Sequence, residues 1–160
     1  MKRENKTNAA RLLDSAGIAY ELNTYLVDEN DLSAIHVAES LGVDAGALYK
    51  TLVLRGDRTG IFVCVVPGDA EVDLKKAARA SGNKKADLVP VKELLPLTGY
   101  VRGGCSPIGM KRRYPTFIDA GAGRRERIYI SAGVRGVQIV IAPADLMAFA
   151  EAVPADLIIE

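Results

Sequence analysis

The chain has 160 residues, 49% of them hydrophobic and 26% charged, with two cysteines, one histidine and a formal net charge of +1. That length fits one domain, residues 1–160, able to bury about two-thirds of its unfolded surface without cross-links, and the composition excludes wholesale disorder. The longest wholly apolar run, Ile61–Val66, falls far short of the ~20 residues of a membrane span, no secretory signal is visible, and one histidine with two cysteines makes a structural zinc site implausible; a cytoplasmic chain with no metal and no other cofactor is expected.

Residues 7–16 predict a helix with Ala9, Leu12, Leu13 and Ala16 on one face and Gly17 as its stop. Ile18, Tyr20 and Leu22 alternate as in a strand reaching toward Tyr25. After an acidic loop at 28–32, Ser33 caps a short helix through Leu41, with Gly42 behind it, and Asp44 can start one further turn. Lys50–Arg55 and Ile61–Val66 read as strands joined by the turn-forming Gly56-Asp57-Arg58-Thr59-Gly60. Asp73 caps a helix over 74–81 that Gly82 stops. A strand near 86–89 and a short helix from Pro90 to before Gly99 follow.

Beyond a glycine-rich stretch, Thr116–Asp119, Arg127–Ser131 and Val137–Ala142 predict three more strands. Pro143 opens a final helix to about Val153, and a strand at 157–159 closes the chain. Local hairpins outnumber βαβ units, so the expected fold class is α+β with a mixed, largely antiparallel sheet.

The small net charge hides a polarised chain. Residues 28–73 carry 3 basic and 9 acidic side chains, whereas residues 74–135 carry 14 basic and 4 acidic. The basic stretch suits a polyanion, nucleic acid being the commonest, or it is a set of separate solvated faces.

Two segments can carry chemistry. Gly99-Tyr100-Val101-Arg102-Gly103-Gly104-Cys105-Ser106-Pro107-Ile108-Gly109 has two adjacent residues without Cβ, letting a ligand approach their N–H groups, with Ser106 adding a hydroxyl and Arg102 and Lys111 adding flanking charge. It has neither the spacing of a P-loop nor a G-x-S-x-G elbow, and a tight turn explains its glycines equally well. Lys50 begins an apolar strand, where an ammonium either reaches into a cleft or snorkels to solvent. A protein nucleophile is harder to find. Any Ser–His–Asp or Cys–His set must use His36, and nothing in the sequence ties it to Cys105; Cys64 reads as a small core residue.

Lys50-Thr51-Leu52-Val53-Leu54, the glycine-rich run 99–109 and Ser131-Ala132-Gly133-Val134-Arg135-Gly136, in that order, resemble the YbaK/EbsC family of aminoacyl-tRNA deacylases, related to the editing domain of bacterial prolyl-tRNA synthetases. The resemblance implies a single α+β domain whose mixed, largely antiparallel sheet is curved, barrel-like and flanked by helices, and it implies trans-editing of mischarged tRNA, with Cys-tRNA(Pro) as the substrate of the most similar branch and Cys-tRNA(Cys) as a second one. It implies a catalytic group of Lys50, Gly103 and Ser131, and a substrate pocket with Tyr25, Thr51, Gly104 and Ser106. Arg102, Lys111, Arg112 and Arg135 are the candidates for tRNA phosphates, and a prolyl-tRNA synthetase is the implied partner. In the cysteine-specific branch the substrate's own thiol attacks its ester, which suits a chain without a nucleophile. An Ala- or Ser-tRNA deacylase using water and a non-catalytic RNA- or nucleotide-binding module are the alternatives. Some members carry a second aromatic where this chain has Ser33.

Overall fold

A computed structural model describes residues 6–160. Its elements are α1 (Asn8–Ser15), β1 (Glu21–Thr24), α2 (Ala34–Leu41), β2 (Tyr49–Gly56), β3 (Gly60–Pro67), α3 (Leu74–Ser81), β4 (Ala86–Leu88), α4 (Val91–Thr98), β5 (Thr116–Asp119), a 3-10 turn (Ala120–Arg124), β6 (Ile128–Ser131), β7 (Val137–Ile141), α5 (Pro143–Ala150) and β8 (Ala152–Ala155). The capping residues behave as their chemistry dictates: Ser33 Oγ accepts from the His36 amide at the start of α2, and Asp73 accepts from Lys75 and Lys76 at the start of α3.

The strands form two sheets, not a closed barrel. One runs β1-β7-β6 and is antiparallel; the other runs β4-β2-β3-β5-β8, with β3–β5 and β5–β8 parallel. A parallel bridge between Leu48 and Tyr129 joins them. The alternating pattern of β3 explains why its sequence is apolar throughout. Val63 and Val65 face a core built from Leu13, Ile118, Ile130, Ile139 and Leu146, while Phe62, Cys64 and Val66 face a second one under Ala77 and Ala78 of α3. A third, smaller cluster seats Val37 and Ala38 of α2 on Leu48, with Tyr25 and Tyr129 packed around it.

The C-terminus departs from expectation. The last helix stops at Ala150, and the chain turns at Glu151, whose φ is 53°, into β8. Pro154 obscured this strand in the sequence; β8 is the sheet edge, where a missing N–H is tolerated. Of the expected strand at 157–159, only Ile158 pairs, with Val72.

Buried Asn83 braces the β2–β3 hairpin: its Oδ1 accepts from the amides of Arg58 and Thr59, both at 2.8 Å, and its Nδ2 donates to Thr59 and Ser81. Gly56 leaves it room, since a Cβ there would lie 2.1 Å from Asn83 Nδ2. Among the described residues, no helix is long and apolar enough to cross a membrane.

Candidate active site

The Leu48–Tyr129 bridge decides what stands beside Lys50. Lys50 and Ser131 each lie two residues beyond it on strands running the same way, so the period of two turns both to the face that carries Leu48. Ser131 is opposite Gln138 of β7, and Gln138 is opposite Asn23 of β1, so a polar row crosses three strands. Lys50 is half-buried, and it makes no ion pair or hydrogen bond among the described residues. Thr51, one residue on, faces the other side of β2; its hydroxyl is buried without a partner.

Gln138 escaped the sequence reading. It is only 4% exposed, and its Oε1 is buried without a hydrogen-bond partner, a costly state in a closed protein. The signal was there: one amide inside the apolar strand Val137-Gln138-Ile139-Val140-Ile141.

The glycine-rich loop 99–109 packs against the turn 131–136. Gly103 adopts φ 86°, and a Cβ on it would lie 3.2 Å from Arg135 Nε and 3.5 Å from Leu32 Cβ. A Cβ on Gly104 would lie 3.2 Å from the Cα of Val134, which is backbone and cannot swing aside. The glycines therefore permit two backbones to touch, and the loop is more than a free turn. Tyr25 meets the far end of the same turn, its amide donating to Gly136 O at 3.0 Å.

Within the loop the candidates separate. The Gly104 amide closes a turn onto Val101 O at 2.9 Å, whereas the Gly103 amide has no acceptor among the described residues. Ser106 is fully buried and its Oγ accepts from the Ile108 amide, so it shapes the loop from beneath. Ser131 Oγ likewise accepts from the Gly133 amide, at 3.1 Å, and holds its own turn. Cys105 is buried, which pushes its thiol up to about 12, and Cys64 is pushed equally far for the same reason; neither is a thiolate at neutral pH. His36 sits between Asp28 and Asp31, at 3.9 and 3.8 Å.

The basic residues divide in the same way. Lys76, Arg113, Arg125 and Arg127 pair with Asp156, Glu151, Asp44 and Glu21, which takes them out of the basic surplus. Arg102, Lys111 and Arg112 make no ion pair among the described residues and flank the glycine-rich loop. Arg135 is engaged at the surface, Nε donating to Arg102 O and Nη1 to Glu29 Oε1, both at 2.9 Å. A cavity of about 400 Å³ behind the 131–136 turn, lined by Thr7, Tyr100, Gly133 and Val134 among others, includes none of Lys50, Gly103 and Ser131.

The sequence profile of the aminoacyl-tRNA editing domain matches residues 28–149, which takes in all three motifs. The chain belongs to that family, as an aminoacyl-tRNA deacylase of the YbaK/EbsC type. It is 47% identical over 146 residues to an Enterococcus faecalis protein provisionally named Cys-tRNA(Pro)/Cys-tRNA(Cys) deacylase EbsC, covering 91% of this chain and 89% of that one. A proline–tRNA ligase of Streptomyces coelicolor is 34% identical over 84 residues, 52% of this chain and 14% of the ligase. The fold matches a solved structure provisionally described as a trans-editing enzyme for prolyl tRNA synthetase, with TM-score 0.82 and 24% identity over 96% of this chain and 99% of that one.

Proposed function

We propose that this deacylase clears cysteine from Cys-tRNA(Pro), and also from Cys-tRNA(Cys), by letting the substrate's thiol do the attacking. The observation that carries the reading is a Lys50 and a Gly103 amide left without partners among the described residues, in motifs that pack together, with both cysteine thiols buried and held protonated. Lys50 holds the aminoacyl-ester end as a point charge, and the Gly103 N–H meets the oxygen that becomes negative as the carbonyl is attacked. Ser131, Tyr25 and the Gly104 backbone shape the surroundings of these two groups, and Thr51 supports β2 from its other face. The buried amide of Gln138 supplies a polar contact for the bound amino acid, which relieves its own isolation.

The step balances within the substrate. The cysteine sulfur bonds to the ester carbonyl carbon, the carbon–oxygen bond to the ribose breaks, and the thiol proton ends on the ribose hydroxyl. A cyclic thiolactone leaves and water later opens it to cysteine. The protein then supplies position, holding sulfur and carbonyl about 3–3.5 Å apart, and charge stabilisation. Arg102, Lys111 and Arg112 contact the acceptor-stem phosphates, and a prolyl-tRNA synthetase supplies tRNA selection.

The decisive experiment offers Cys-, Ala- and Ser-charged tRNA(Pro) side by side and identifies the first product. Clearance of the cysteinyl ester with thiolactone released first is expected. Equal clearance of all three, or free cysteine with no thiolactone, means that water attacks and the specificity is different.

A further inference from the structure

We infer that Arg135 is a positioning residue that orients and polarises the Gly103 amide, and that it is not a phosphate ligand. The inference rests on the reading above that this amide is the catalytic donor. The carbonyl of Arg102 and the N–H of Gly103 belong to one planar peptide unit and point in opposite directions across it. Arg135 Nε donates to that carbonyl at 2.9 Å, so the guanidinium grips one side of the plate and leaves the N–H presented on the other. A cationic donor on the carbonyl also draws electron density through the peptide and strengthens its N–H as a donor.

Two further contacts define where the arginine stands. Its Nη1 donates to Glu29 Oε1 at 2.9 Å, and an ideal Cβ at position 103 would lie 3.2 Å from its Nε. The planar fork thus ties together the acidic loop before α2, the glycine-rich loop and the 131–136 turn. The Gly104-to-Val101 turn sets the plane of this peptide, no backbone acceptor takes the Gly103 N–H among the described residues, and the Arg135 grip on the carbonyl holds the plate in that orientation.

The test compares Arg135→Ala, Arg135→Lys and Glu29→Gln with the wild type in single-turnover deacylation of Cys-tRNA(Pro) and in tRNA binding across a salt series. Arg135→Ala slows the chemical step about 100-fold, the scale of a misplaced or lost oxyanion donor, with KM and the salt slope nearly unchanged. Arg135→Lys does not rescue, because an ammonium cannot serve both acceptors in a fixed plane. Glu29→Gln slows the step about tenfold. A phosphate ligand behaves oppositely: Arg135→Ala raises KM and flattens the salt slope, Arg135→Lys rescues, and Glu29→Gln frees the cation and tightens binding. Either half of that pattern overturns the inference.

A second readout separates this inference from the choice of substrate. The Gly103 amide resonance in ¹⁵N spectra shifts in Arg135→Ala and in Arg135→Lys even if the wild type clears some other aminoacyl-tRNA. An unchanged resonance in both variants refutes the grip, while a shift in both variants together with a wild type inert on Cys-tRNA(Pro) refutes only the substrate. Thermal unfolding of Glu29→Gln near the wild-type temperature shows that a slow rate is not misfolding.

Discussion

Arg135 Nε lies 2.9 Å from the carbonyl oxygen of Arg102, so one arginine of the basic stretch holds the backbone of another. The contact links two motifs 33 residues apart and uses one cation of the basic stretch within the protein's own loops.

Replacing Lys50 by alanine removes a cation that makes no ion pair among the described residues. Deacylation is expected to fall by about 100-fold or more, the range for loss of one charge-stabilising group. Unfolding free energy should change by less than about 0.5 kcal/mol, as for a side chain without partners. Stopped assays and urea unfolding check the two halves; unchanged turnover removes Lys50 from the mechanism.

Gly104→Ala places a methyl 3.2 Å from the Cα of Val134. Backbone meets it, so relief requires the two motifs to part. A loss of about 1–3 kcal/mol in stability, the usual cost of overpacking, should accompany slower deacylation. Denaturant unfolding in parallel with kinetics tests it; a fully active and fully stable variant means the loops are not held in contact.

The buried thiols make stability fall at alkaline pH. Cys64 and Cys105 sit near 9.0 when unperturbed and are pushed up to about 12 by burial. Between these values the unfolded chain loses thiol protons that the folded chain keeps, so this contribution is complete below pH 9 and is lost as pH rises toward 12. Melting temperature should drop over that window, and the Cys105→Ala variant should drop less steeply while keeping its deacylase activity. Alkylation of native Cys105 at pH 7.5 is expected to be slow.

Arg102, Lys111 and Arg112 are predicted to set the salt response. Alanine at any one should lower tRNA affinity and reduce the slope of log K against log salt by about 1. Filter binding from 50 to 300 mM salt measures it, and an unchanged slope in all three places the tRNA elsewhere.

Asn83→Ala strands two backbone amides of the β2–β3 turn, at the end of the hairpin away from Lys50. A stability loss of about 2–3 kcal/mol is expected, with normal turnover below the melting range. Loss of activity without loss of stability contradicts this separation.

The helices that carry caps, the β2–β3 and β6–β7 hairpins and the mixed sheet were legible in the sequence because each depends on neighbours in the chain. Ser33, Asp73 and the glycines behind α2 and α3 act within one turn, and the alternation in β3 needs only a pleat. The same locality misled at the C-terminus, where an edge position, invisible in sequence, let Pro154 enter a strand.

Residue types by themselves set the order of the three motifs, the polarised charge and the shortage of nucleophiles. Tertiary structure decided which residues meet. Lys50 and Ser131 follow a single bridge between segments about 80 residues apart, Gly104 gives its amide to a turn while Gly103 keeps its own, and Arg135 binds a backbone carbonyl at the surface. Such choices belong to non-local pairing and to the competition for each backbone donor, and both are settled only when the whole chain packs.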